Sequence, residues 1–152
     1  MTSTLTSNIG GDSLKMLQTE SLALPQSTSS ALFTVSDSDI IVVGLIGVVT
    51  TAIQNQANSA KLFVDFGGGG PDITTALDIA NDAEDTFYTV TGVQTDAFQE
   101  GGLNMAEVPF VVPSGSSLSL DCTASNTGEI QWILYYHTPN EEGVTATVVA
   151  AT

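Results

Sequence analysis

Glu129-Ile130-Gln131-Trp132-Ile133-Leu134-Tyr135-Tyr136-His137 is the stretch on which the fold turns. Its period of two places Ile130, Trp132, Leu134 and Tyr136 on one side of an extended chain and Gln131, Ile133, Tyr135 and His137 on the other. The first set has the bulk of a core face. Aromatic and β-branched side chains fit a pleated, half-buried surface, so these nine residues predict a strand. Before it, Leu118, Leu120 and Cys122 alternate with Ser117, Ser119 and Asp121, and Pro113-Ser114-Gly115-Ser116 is a turn. Val108, Phe110 and Val112 alternate ahead of that turn, and residues 144–149 close the set with Thr145 and Thr147 outward.

The first half of the chain repeats the pattern. Ala31, Phe33 and Val35 alternate until Asp37-Ser38-Asp39 breaks the run. Residues 40–49, Ile-Ile-Val-Val-Gly-Leu-Ile-Gly-Val-Val, do not alternate, because both faces are apolar. Such a strand needs cover on both sides: the core on one, another subunit or an overlying segment on the other. Gly44 and Gly47 suit a bulge or a close backbone approach. Leu62, Val64 and Phe66 share a face, and Gly67 to Gly70 followed by Pro71 reads as a flexible loop. No Gly-Lys-Ser/Thr follows that glycine run and no helix pattern opens after it, which removes a phosphate loop. Residues 73–79 and 87–91 read as strands and 94–105 as a loop. Short strands at this spacing, with no long helix, predict an all-β fold: an antiparallel β-sandwich or jelly roll of about eight strands.

Residues 1–30 differ. They are rich in Ser and Thr, with isolated Leu5, Leu14, Leu17, Leu22 and Leu24 and a proline at Pro25. This stretch reads as an extended N-terminal arm before a sandwich domain at 31–152. Leu14, Met16 and Leu17 make at most one helical turn, too short to be stable alone. An arm dotted with leucines has something to dock with. Leu14, Leu17, Leu22 and Leu24 are therefore candidate partner contacts, as are Ile41 and Val43 on the second face of the apolar strand.

Charge excludes whole classes of partner. Seventeen carboxylates face two lysines, Lys15 and Lys61, with no arginine, for a formal charge of -15 over 152 residues. Phosphate backbones and anionic lipid surfaces are repelled by such a chain, so neither nucleic acid nor membrane is an expected partner. The ten-residue apolar segment at 40–49 falls well short of the roughly 20 residues a spanning helix needs. The chain opens without the basic and apolar run of a secretory leader, and none is expected. Cys122 is the one cysteine, which rules out an intramolecular disulfide, and its parity with Leu118 and Leu120 buries it.

No constellation carries chemistry. The one histidine, His137, ends a strand on the side opposite the core, and nothing brings a serine or Cys122 within its reach. Asp72, Asp78, Asp82, Glu84 and Asp85 offer the hard oxygen ligands calcium prefers, but their spacing fails the EF-hand loop. One cysteine and one histidine cannot make a structural zinc site. Tyr135 and Tyr88 are the aromatics left for a sugar platform. No catalytic residue, metal site or cofactor is expected, and a calcium-stabilised module or a carbohydrate-binding module stay as alternatives.

Three stretches resemble small structural proteins encoded by tailed bacteriophages. They are Leu32-Phe33-Thr34-Val35 leading to residues 40–49 and the turn at 54–62; Asp78-Ile79-Ala80-Asn81-Asp82-Ala83 leading to 86–92; and Val112-Pro113 through Ser125-Asn126-Thr127-Gly128 to 132–135. The resemblance spans most of residues 31–137. It implies a non-enzymatic virion component, a head decoration (cement) protein built as a β-sandwich. Such a protein assembles on the particle, typically as a homotrimer, with the major capsid protein or another virion protein as partner.

Overall fold

The computed structural model describes residues 14–101, 108–139 and 146–152, which contain eleven strands and no helix. The strands are β1 (Lys15–Ala23), β2 (Ser29–Ser36), β3 (Ile40–Thr51), β4 (Ser59–Asp65), β5 (Leu77–Asp78), β6 (Phe87–Thr89), β7 (Gln99–Glu100), β8 (Phe110–Val112), β9 (Ser117–Cys122), β10 (Glu129–His137) and β11 (Thr147–Ala150). Sheet A runs β1-β10-β3-β6-β7, with β8 beside β6 on β3; sheet B runs β11-β2-β9-β4-β5. Every pairing is antiparallel, and they nest: β1 with β10, β2 with β9, β3 with β6 and β8, β4 with β5. A chain paired this way is one long hairpin, bent at the β4–β5 connection and wrapped so that its arms fall alternately into two sheets. That topology is a jelly roll, which settles the alternative the sequence leaves open.

The core lies between the sheets. Sheet A contributes Leu45, Val49, Ile130, Trp132, Leu134 and Tyr88, and sheet B contributes Phe33, Val35, Leu62, Val64, Leu118 and Leu120. Trp132 sits opposite Gly47, and its ring covers that residue so closely that an added Cβ would lie 2.9 Å from it. Gly47 is thus the close approach its position predicts. Phe98 packs edge-on to Trp132 at 5.9 Å between centroids, and Tyr88 packs on Phe98 at 5.8 Å. The Tyr88 hydroxyl donates to the Asp82 carboxylate. Cys122 is buried as its parity predicts; burial, reinforced by the charge of Asp121, pushes its thiol up to about 12, so it stays protonated and inert.

The expected arm is the largest correction. Residues 15–23 form β1, which pairs with the open edge of β10, and residues 29–30 already belong to β2. Neither an arm to residue 30 nor a helical turn at Leu14, Met16 and Leu17 is found within the described residues. The reason is long-range: β10 has a row of backbone groups that need partners, and pairing with them outweighs weak local preference. A bulge makes the fit, because register shifts between Gln18 and Ser21. Within it the Thr19 hydroxyl accepts the Trp132 N–H at 3.0 Å, replacing the ladder bond that the bulge displaces. Gln131 Nε2 donates to the Thr19 carbonyl at 2.9 Å. Thr19→Val keeps the shape and orphans a buried N–H, so a loss of about 1–3 kcal/mol is expected in urea unfolding.

Smaller departures have local causes. A bulge between Ala31 and Phe33 lets Leu32 and Phe33 both enter the core and turns Ala31 outward. Residues 73–79 pair only at Leu77–Asp78, because the Thr74 hydroxyl takes the Leu62 N–H that a continuing ladder would use. Phe66 leaves the core parity of Leu62 and Val64 and is 55% exposed, since β4 ends at Asp65.

The glycine loop is held in one conformation. Asp65 Oδ1 accepts the N–H groups of Gly67, Gly68 and Gly69 at 2.8, 3.0 and 2.9 Å, while Gly67 and Gly69 adopt the positive φ this wrapping requires. These bonds, Gly69 first, hold the Asp65 carboxyl below the usual carboxylate range. A folded pKa below the unfolded one means the latch contributes fully above the unfolded value and is lost as pH falls through the folded value. The amide resonances of Gly67, Gly68 and Gly69 should titrate together with a midpoint below 3.8. A midpoint above that value would contradict the latch.

Candidate functional site

The two outer faces of the sandwich differ in chemistry. Cross-strand partners project to the same side, so register alone assembles each face. On sheet B, Thr34 of β2 lies opposite Ser117 of β9, which lies opposite Asp65 of β4; the next rows are Ala31, Ser119 and Phe63, then Asp121 with Lys61. Lys61 also binds Asp72 at 3.0 Å. Apart from Ala31 and the buried Phe63, these rows carry small polar and charged groups.

Sheet A is different. Ile46 of β3 lies opposite Ile133 of β10 on one side and Thr89 of β6 on the other. Val48 lies between Gln131 and Phe87, and Ile41 between His137 and Val111. Tyr135 faces Gly44 across one ladder and Met16 across the other. Ile41, Ile46, Val48, Ile133 and Tyr135 are half-buried, while Met16 is 57% exposed and Phe87 44%. No carboxylate falls in these rows. Glu129 stands at one end of β10, where Ser21 and Thr51 donate hydroxyls to its Oε2 at 2.9 and 3.2 Å. A contiguous apolar sheet face rimmed by polar groups is the usual mark of a protein contact.

The candidate contact residues divide accordingly. Ile41 lies on this outer face, and Val43 is the extra residue of the bulge between Val42 and Gly44, half-buried beside it. Leu24 is 3% exposed and part of the core, with the partly buried Leu17 and Leu22 packed against it, so these three pack on their own chain. β1 pairing turns them inward: Leu17 shares a row with Leu134, and Leu22 with Ile130. Leu14 is exposed at the start of β1. Met16, Ile46, Val48, Phe87 and Val111 complete the face and were not singled out by the sequence. The second face of residues 40–49 was their signal, but the strands beside it could not be ordered without the pairing.

The other candidates separate in space. Tyr88 is fully buried, and Trp132 and Tyr136 point inward, so of these aromatics Tyr135 alone looks outward. The acidic turn is used locally. Asp78 Oδ1 accepts the N–H groups of Asn58 and Ala80, and Asp82 accepts from Tyr88, with burial raising the Asp82 pKa. Among the described residues no three His, Cys, Asp or Glu side chains gather to hold a metal ion. His137 ends β10 opposite Ile41. A shallow depression of about 440 Å³ at one end of the sandwich is lined by Leu24, Gln26, Thr51, Asn126 and Glu129 among others. Asn126 there donates to the carbonyls of Gln54 and Gln56, fastening the β3–β4 and β9–β10 connections together.

No family model and no curated protein matches the chain. Among solved structures it is similar to infectious bursal disease virus, Gx strain, at 11% identity and a TM-score of 0.27, over 90% of this chain and 36% of that one. It is similar also to the VP2 subviral particle of infectious bursal disease virus, at 14% identity and a TM-score of 0.27, over 93% of this chain and 35% of that one. The chain spans about a third of the length of these structures, and overlap at this level decides neither fold nor role.

Proposed function

We propose that this chain is a non-enzymatic structural subunit of a virion, of the head decoration (cement) type, and that it joins its assembly through the outer face of sheet A. The observation that carries the reading is the contrast between the faces: the central rows of sheet A hold apolar side chains and no carboxylate, while those of sheet B carry Asp65, Asp121 and Lys61. A jelly roll serves capsid subunits and lectins alike, so architecture does not choose between them. The lectin reading has Tyr135 and Phe87 outward on this face, but they stand on β10 and β6 in different rows and do not form a paired platform. The decoration reading draws on the sequence resemblance and on the apolar residues Ile41, Ile46, Val48, Ile133 and Tyr135 gathered on one outer face. Purified particles of the virus encoding this chain should carry it at a fixed, stoichiometric ratio to the major capsid protein. Its presence only in trace amounts would overturn the reading.

A further inference from the structure

We infer that the occupant of the outer face of sheet A is the same face of a second copy of this chain, packed about a two-fold axis. The inference rests on the reading of that face as a contact surface and names its partner. Charge is the first argument. Each copy carries -15, so two copies repel overall, and they meet at least cost where carboxylates are absent from the contact. The Ile46–Ile133 rows are such a place, and the same rows on a second copy bring no charge to be buried against them. A cationic partner would be drawn instead to Asp65 and Asp121 on sheet B or to the acidic turns.

Area is the second argument. From Ile41 to Val48 the face runs about 23 Å along β3, and across β1, β10, β3 and β6 it runs about 20 Å with side-chain widths, from ~3.3 Å per residue and ~4.8 Å per strand. Two such faces together remove roughly 1,000 Å² from water, at the lower limit for a specific interface. The pair is therefore concentration-dependent. Two sheets stacked face to face about 10 Å apart make an isologous contact, which closes at two copies and not at the three that the phage resemblance implies.

Sedimentation of the full chain over a range of concentrations tests this. The wild type should reach the mass of two copies, and should do so at lower concentration as salt is raised, because screening removes repulsion between acidic bodies. Ile46→Asp should shift the dissociation constant upward at least tenfold. Met16→Asp, at an exposed position that the fold does not depend on, should act in the same direction, while Thr34→Asp on sheet B should leave it unchanged. A wild type that stays at one copy, or reaches three, overturns the inference, as does two-copy mass retained by both face variants. A one-copy wild type that still loads stoichiometrically on particles would overturn the pair and leave the structural role standing. A two-copy protein absent from particles would do the reverse.

Discussion

Trp132→Ala is expected to lower the stability of the folded chain by about 3–5 kcal/mol, the largest effect of any single substitution in the sandwich. The ring is fully buried, lies against Gly47 on one side and meets Phe98 on another. Removing it leaves a void that cannot close easily. Gly47 has no side chain to move in, and its backbone is fixed by the β10 and β6 ladders on either side. For a chain of this length the change corresponds to a melting temperature lower by roughly 10–15 °C. Urea unfolding followed by fluorescence of a tyrosine, or by circular dichroism, measures it. A loss under about 1 kcal/mol would show that the Trp132–Gly47–Phe98 contact does not anchor the core.

Ile133→Asp is expected to abolish assembly while leaving the monomer folded. Ile133 is half-buried at the centre of the outer face, between Gln18 and Ile46, so its removal opens no core cavity. In the isolated chain the new carboxylate stays hydrated. In an assembly it would be pressed against an apolar surface with no cation to pair with, at a cost of several kcal/mol. That corresponds to a reduction of a hundredfold or more in particle occupancy, using about 1.4 kcal/mol per factor of ten. Thr34→Asp adds the same charge to sheet B and should leave occupancy unchanged. Equal loss in both variants would point to net charge and not to the face.

How much of this was legible in the sequence follows from the range of the interactions involved. Strand β10 could be read residue by residue, since alternation from Ile130 to Tyr136 is local and unbroken. The burial of Cys122 followed from parity in the same way, and the close approach at Gly47 from a glycine inside a strand. The two-sided apolarity of residues 40–49 pointed to a second apolar face, and Ile41 lies on it. β1 was missed because nothing local marks residues 15–23 as a strand; the edge of β10, more than 100 residues later, makes them one. Bulges at Thr19 and Leu32 shift parity by one residue, which pattern alone does not reveal. The aspartates misled in a different way. Asp78 and Asp82 offer the oxygen ligands calcium prefers, yet each is engaged by backbone or hydroxyl donors of its own loop or of a strand beside it.

The central claim is that the outer face of sheet A is covered in the assembly and the outer face of sheet B is not. Hydroxyl-radical footprinting of the free and particle-bound protein tests it most directly, because Met16 and Phe87 on sheet A and Phe66 beside sheet B are all well exposed in the single chain. Protection of Met16, Phe87 and Tyr135 on assembly, with Phe66 labelled as before, is the predicted result. Protection of Phe66 with Met16 and Phe87 still labelled would contradict it.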